Sequence, residues 1–406
     1  MTPSASPPLS IFIVAAEESG DALGAALARA LRKALPDGVQ LSGVGGHAMA
    51  AAGIASPFPI DELAIIGLTA IPRRLPNIFR RIRQTVRAVV AARPDALVIV
   101  DSPDFTHRVA RQVRRLAPSI PVIDYVSPSV WAWRPGRARA MRAYVDQVLA
   151  ILPFEPEVHL KLGGPPCSYV GHPLIERIGE LRPNAEEARL RSTDPPLILA
   201  LPGSRRTEIR RLAGIFGGAI ERLRGRIGAI ELVIPTVPHV VSQVRDAVAG
   251  WSVPPRIVTE PADKWAAFRN ARAALAASGT VTLELALAGV PMVAAYRLHF
   301  IEAVVARLIR LQSRLPSVIL ANLVVGENVV PELLQEDCTP EKLAAAMETL
   351  IGDTPERRRQ TEAFARLDRI MGLGAATPSV TAAAIVIEVA RRGRMPAALP
   401  LLPASC

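Results

Sequence analysis

The sequence predicts an α/β protein made of two doubly wound, Rossmann-like domains facing each other across a cleft. Three observations carry that prediction. Short apolar runs of strand length recur in two series, helix-like segments lie between most of them, and a polar stretch at 176–196, ending Thr193-Asp194-Pro195-Pro196, separates the series. The chain has 406 residues, more than one ordinary core accommodates. Half of these residues are hydrophobic and only 4% aromatic, as in an Ala/Leu/Val-rich globular protein.

In the first series, strands are expected at 11–16, 39–44, 96–100, 122–126 and 148–152. The strand at 11–16 runs into Glu17-Glu18-Ser19-Gly20-Asp21. Carboxylates at a helix start complement the dipole but keep a phosphate out, so this edge is expected to hold hydroxyl groups through Glu17, Ser19 and Asp21. Asp101 directly follows the strand at 96–100. A carboxylate at the carboxyl end of a buried strand can take a proton from an attacking hydroxyl, or serve the fold alone; its neighbour Asp104 reads as a helix N-cap. His172, in Val-Gly-His-Pro-Leu, falls where the domains cross over, and its role is open.

The second series is expected at 197–201, 230–234, 256–258, 273–277 and 292–296. After 197–201 come Gly203, Ser204 and Arg205. A Gly-Ser turn lets backbone approach a phosphate and Arg205 can fork onto phosphoryl oxygens; the alternative is an Arg tied to Glu208. Residues 273–296 read as strand, Ser278-Gly279-Thr280 turn, short helix and strand. Thr280 is the expected N-cap, Gly289 the stop, and the free amides at the helix start an anion site. Glu284, on an otherwise apolar helix, needs a partner: sugar hydroxyls beyond the phosphate, or an Arg at the helix surface. Beyond residue 338 the chain is helical and polar to about 368, with a last helix at 379–392.

The domains are placed at 1–175 and 176–370, with 371–406 as a helix and tail able to pack back on the first. The N-terminal MTPSASPPLS has neither basic start nor apolar core, and no apolar run reaches membrane-spanning length, so a cytoplasmic protein is expected. Cys167, Cys338 and Cys406 are too scattered for a zinc site or disulfide framework. Residues 71–142 contain fifteen Arg and four Asp, which equals the whole formal excess of +11. Such a face suits nucleic acid, phosphorylated ligands or an anionic membrane. Two amphipathic patterns, Leu75-Ile78-Phe79-Ile82-Val86-Val89 and Val304-Val305-Leu308-Leu311 with Arg307 and Arg310, can cover a sheet or lie on a membrane. No Asp-x-Asp, GxxxxGK[ST] or strand-linked GxGxxG motif occurs, so neither metal nor other cofactor is expected.

EESGDALG at 17–24, DSPDF at 101–105, VSPSVWAWR at 126–134, LPFE at 152–155, GHP at 171–173, LPGSR at 201–205, SGT at 278–280 with Glu284, and Asn322-Leu323 together resemble the lipid-A-disaccharide synthase family. The blocks run in order from near residue 11 to about 345. The resemblance implies a GT-B glycosyltransferase moving 2,3-diacylglucosamine, with inversion, from UDP to the 6-hydroxyl of 2,3-diacylglucosamine 1-phosphate. It further implies a first domain for acceptor and lipid and a second for the UDP-sugar. UDP would be held by Ser204, Arg205, Ser278, Gly279, Thr280, Glu284 and Asn322, with Asp101 and Arg205 catalytic. The partners implied are the two substrates and the cytoplasmic face of a Gram-negative inner membrane, not nucleic acid, and a homodimer is compatible with it. A UDP-sugar epimerase on a similar scaffold would leave VSPSVWAWR without a place. A basic nucleic-acid adaptor would lack the interleaved aromatics that single strands need.

Overall fold

The computed structural model describes residues 8–63, 71–297, 316–374 and 376–394. The chain divides into two compact units, Met1–Pro173 with Gly374–Cys406, and Leu174–Leu373.

The first unit alternates β1 (Leu9–Ala15), α1 (Glu18–Ala34), β2 (Val39–Val44), α2 (His47–Ala51), α3 (Ile71–Ala92), β3 (Ala96–Val100), α4 (Pro103–Leu116), β4 (Val122–Tyr125), α5 (Gly136–Met141), β5 (Gln147–Ala150), α6 (Glu155–Lys161) and β6 (Cys167–Tyr169). All pairings are parallel, in the order β2-β1-β3-β4-β5-β6. The two-residue period of β1 divides its side chains between two cores. Ile11, Ile13 and Ala15 pack under α1, α2 and the C-terminal helix Pro378–Arg392, whereas Phe12 and Val14 pack under α3 and α4. Burial of each such Ile or Phe contributes about 1.5–3 kcal/mol. The C-terminal helix sets Ala382, Ala383, Val386 and Val389 into the first of these cores, so the chain's end belongs to the unit of its beginning.

The α3 pattern covers the sheet: Ile82, Val86 and Val89 are buried, and Phe79 emerges at 42% exposure. The second amphipathic pattern, from Val304 to Leu311, lies outside the described residues, as does the side chain of Leu75.

The second unit contains α7 (Ile178–Leu181), α8 (Ala185–Leu190), β7 (Leu197–Leu201), α9 (Arg206–Ile227), β8 (Glu231–Pro235), α10 (Val241–Val248), β9 (Arg256–Val258), α11 (Pro261–Asn270), β10 (Ala273–Ala277), α12 (Val281–Leu287), β11 (Met292–Tyr296) and β12 (Glu332–Leu334). Helices Leu320–Val325, Pro340–Glu348 and Pro355–Ala365 complete its layers. Its sheet, also parallel, runs β12-β11-β10-β7-β8-β9. Each sheet reverses its winding once, between β1 and β3 in the first unit and between β7 and β10 in the second. Ligands of open parallel sheets bind outside the carboxyl ends of the strands at such switch points.

Candidate functional site

In the second unit, pairing of Ala276 with Leu201 brings the turns after β10 and β7 side by side. They enclose a cavity of ≈ 320 Å³ lined by Ser204, Arg205, Ser278, Gly279, Thr280 and Glu284, together with Glu208 and Lys264. Gly203 makes the first turn with φ +117°, and a Cβ there would lie 2.5 Å from that of Glu208. The close approach lets Glu208 Oε2 accept from the backbone N–H groups of Ser204 (3.1 Å) and Arg205 (3.3 Å). Arg205 Nη1 donates to Glu208 Oε1 at 3.1 Å, yet the Arg205 side chain is 77% exposed and can turn to another anion. The pair with Glu208 and the exposed guanidinium are therefore both present.

Thr280 departs from its expected role. Its backbone is already helical and its side chain makes no cap bond, which leaves the hydroxyl exposed at the cavity. Glu284 pairs with Lys264 of α11, its Oε2 2.6 Å from Nζ, so the ion-pair alternative holds with Lys in place of Arg. Lys264 itself stacks 4.3 Å from the Trp265 ring centroid. No local pattern points to Lys264, because its contact with Glu284 is tertiary.

Asn322 is corrected: it does not line the cavity. It is 1% exposed, its Nδ2 donates to Val330 O and Glu332 Oε1, and its Oδ1 accepts from the amides of Val329 and Val330, so its whole hydrogen-bonding capacity is spent. A line of hydrogen bonds runs from it through Glu332, which accepts from the amide of Val318 and the hydroxyl of Ser317, to the Val318 carbonyl, which accepts from Ser278 Oγ at 3.1 Å.

In the first unit, Asp101 leaves β3 with φ +51° and Ser102 follows with φ +43°. Asp101 Oδ1 accepts from Ser102 N at 2.7 Å and Oδ2 from Ser19 Oγ at 3.3 Å. Gly20 allows that approach, since a Cβ there would meet the Val100 carbonyl at 3.2 Å. Glu17 and Ser19 remain exposed at this switch point. Asp21 is corrected: it is 4% exposed, and its carboxylate accepts from the amides of Gly46 (2.7 Å), Ala48 (2.8 Å) and Met49 (3.0 Å). It caps α2 from inside the unit, so what the structure shows for it is a role in the fold. His172 is also buried, and burial pushes its imidazole down to about 4, so it is neutral at pH 7.

Behind Asp101 lies a buried polar cluster that sequence reading missed. Asp124, wholly buried in β4, is 3.2 Å from His107 Nε2, and His107 Nδ1 is 3.0 Å from the Tyr144 hydroxyl. The motif blocks VSPSVWAWR and LPFE meet nearby: Trp131 packs edge-on against Phe154 and donates to Glu155 Oε1 at 3.3 Å, while Ser127 Oγ is 2.8 Å from His159 Nε2. Burial raises the Glu155 carboxyl to about 8 and lowers the His159 imidazole below its usual range. An aspartate inside the apolar strand Val-Ile-Asp-Tyr was the one sequence signal for this cluster.

Among solved structures, a UDP-GlcNAc 2-epimerase from Neisseria meningitidis bound to UDP-GlcNAc matches with TM-score 0.58 and 14% identity, over 95% of this chain and 100% of that one. MurG of Acinetobacter baumannii matches with TM-score 0.54 and 18% identity, over 95% and 100%. The fold is thus the GT-B class expected from the sequence. A family model described as lipid-A-disaccharide synthetase matches residues 11–380. Lipid-A-disaccharide synthase of Bradyrhizobium diazoefficiens is 60% identical over 388 residues, covering 96% of this chain and 98% of the relative. That of Nitrobacter winogradskyi is 59% identical over 391 residues, with the same coverage. The chain belongs to the lipid-A-disaccharide synthetase family, as its motifs indicated. It is a glycosyltransferase of lipid A biosynthesis, acting on a UDP-sugar and a lipid. Among the described residues no helix is long and apolar enough to cross a membrane.

Proposed function

We propose that the chain transfers 2,3-diacylglucosamine from its UDP carrier to the 6-hydroxyl of 2,3-diacylglucosamine 1-phosphate, inverting the anomeric centre to give a β-1,6 disaccharide and UDP. The observation that carries this reading is the cavity where the β7 and β10 turns converge at the switch point of the second unit. Arg205 meets the diphosphate, Ser278, Gly279 and Thr280 offer polar contacts around it, and Glu284, held by Lys264, faces the ribose hydroxyls. In the first unit, Asp101 accepts the proton of the acceptor's 6-hydroxyl as that oxygen bonds to the anomeric carbon and the bond to UDP breaks. Glu17 and Ser19 bind hydroxyls of the acceptor. Negative charge accumulates on the leaving diphosphate, where a guanidinium stabilises it more strongly than in the ground state.

The enzyme works on the cytoplasmic face of the inner membrane. Support comes from the arginine concentration in residues 71–142 and from Phe79 and Trp133, both exposed on the same unit.

The test is mass spectrometry of the full chain incubated with both substrates. The expected product is the phosphorylated disaccharide with equimolar UDP, and no UDP release without acceptor. Epimerisation of UDP-N-acetylglucosamine in the absence of acceptor would overturn the reading.

A further inference from the structure

The first unit contains a second cavity, of ≈ 400 Å³, between α4 and the segment that follows β4. Arg108, Arg111, Arg134 and Arg137 line it, with Asp104 and His107. One carboxylate against four guanidiniums is a strong imbalance. Asp104, itself 90% exposed, reaches only Arg137, and at 3.7 Å. Among the described residues, no carboxylate lies within ion-pair distance of Arg108, Arg111 or Arg134. Arginine cannot relieve such crowding by losing a proton, so only an anion can.

The cavity is built, not a chance convergence of surface side chains. Arg111 lies over the Tyr144 ring, 4.7 Å from its centroid, and donates to its hydroxyl at 3.1 Å. Tyr144 is held in turn by His107, and His107 by the wholly buried Asp124. On the opposite wall Arg134 takes φ +54°, a conformation disfavoured for a side-chain-bearing residue, and its guanidinium stacks 4.2 Å from the Trp133 ring centroid. Arg108 stacks 5.5 Å from the Phe79 ring centroid. Trp133 and Phe79, 48% and 42% exposed, therefore give the cationic cavity an apolar rim.

A convergent, half-open cluster of forked donors suits a compact phosphate monoester of charge near −2, and exposed aromatic rings suit an apolar body attached to it. The position also fits a sugar phosphate. Pro103 and Asp104 follow directly after Asp101 and Ser102, and Arg108 lies about 8 Å up the axis of α4 from its first residue, at 1.5 Å per residue.

We infer that this cavity binds the phosphate of the lipid acceptor, with Arg108, Arg111, Arg134 and Arg137 as its ligands, and so selects a phosphorylated acceptor while Asp101 faces the reacting hydroxyl. The inference rests on the acceptor proposed above.

The experiment compares transfer by the full chain, in neutral detergent micelles, to diacylglucosamine 1-phosphate and to the same lipid without phosphate. The wild type uses the phosphorylated lipid better. Arg108→Gln and Arg134→Gln each raise KM for it roughly ten- to hundredfold, the scale of a charge-assisted contact, and leave KM for the UDP-sugar and use of the dephosphorylated lipid unchanged. Thermal melting of both variants controls for folding; Arg108 and Arg134 are exposed and pack into no core, and either variant alone carries the test. A wild type that glycosylates neither lipid refutes the transfer reading itself. One that uses both equally, or variants that keep the full preference, refute this site and leave that reading standing. Sedimentation with phosphatidylglycerol vesicles separates the remaining source of phosphate: variants that lose vesicle binding, and lose activity equally on both lipids, assign the cavity to bilayer headgroups and overturn the proposal.

Discussion

The two switch points occupy the same topological corner and are built in opposite ways. After β3 the positive-φ positions are Asp101 (+51°) and Ser102 (+43°), residues that pay for that conformation with strain of order 1 kcal/mol or more each. After β7 it is Gly203 (φ +117°), which adopts such backbone at little cost. The first corner is backed by buried ionisable groups, Asp124, His107, Glu155 and His159; the second opens on an exposed Arg205 and the exposed Gly279 and Thr280. Under the proposed function, the corner that aims one carboxylate keeps a side chain where glycine would be easier. On the same reading, the corner that takes up and releases a phosphorylated ligand has a glycine in its turn and a cation exposed enough to exchange Glu208 for that ligand.

The largest expected effect separates aim from grip. Asp101→Asn retains the turn, because the amide oxygen still accepts from Ser102 N, but cannot take a proton. Turnover should fall by roughly two or more orders of magnitude, while UDP binding measured calorimetrically stays as in the wild type. Unchanged turnover would remove Asp101 as the base and with it the functional meaning of the strained corner.

Next comes the buried support of the first corner, read through pH. Glu155 titrates near 8 in the folded chain against an ordinary value near 4.5, because burial disfavours its charge. Below the ordinary value both states are protonated and stability is whole. As pH rises toward 8, the unfolded chain releases a proton that the folded chain keeps, so stability falls and levels off above 8. The loss should be on the order of a few kcal/mol in denaturant unfolding, and Glu155→Gln should abolish the slope. A slope surviving in that variant would assign it to other groups.

These two corners also mark how far the sequence could be read. Ten strands follow from apolar runs at 11–16 through 292–296; β6 (Cys-Ser-Tyr) and β12 (Glu-Leu-Leu) do not, because their side chains are half-buried throughout and they are too short to stand out as apolar runs. The turns after β7 and β10 were legible because Gly-Ser and Ser-Gly-Thr act locally. Asp21 and Asn322 were not, since a polar residue that caps a neighbouring helix or ties down a distant turn looks the same in sequence as one that meets a ligand. Lys264 and the Asp124–His107–Tyr144 line were missed for a related reason: their partners lie on other elements, well beyond one helical turn or one hairpin in sequence.

Grip at the second corner should be graded where aim is close to all-or-none. Arg205→Ala removes one exposed, charge-assisted contact and leaves the cavity lining otherwise in place. UDP affinity should fall about ten- to hundredfold, with thermal stability nearly unchanged, because an exposed pair with Glu208 contributes little to the fold. Full affinity in this variant would sink the phosphate assignment. Loss of stability instead would make Arg205 a scaffold residue and erase the contrast between the corners.

The smallest effect tests the strain itself. Ser102 holds φ +43° with a buried hydroxyl that has no hydrogen-bond partner, while its carbonyl accepts from Phe105 and Thr106. Ser102→Gly keeps those backbone bonds, relieves the left-handed strain and removes an unpaired polar atom, against the larger chain entropy that glycine loses on folding. The balance should favour the variant by up to about 1 kcal/mol in denaturant unfolding. Turnover should nonetheless fall several-fold, because the residue that fixes the exit of Asp101 from β3 gains freedom. Stability and activity moving in opposite directions is the signature of strain held for function. If Ser102→Gly lost stability and kept its turnover, the positive-φ run after β3 would be a feature of packing, and the two corners would differ in sequence without differing in purpose.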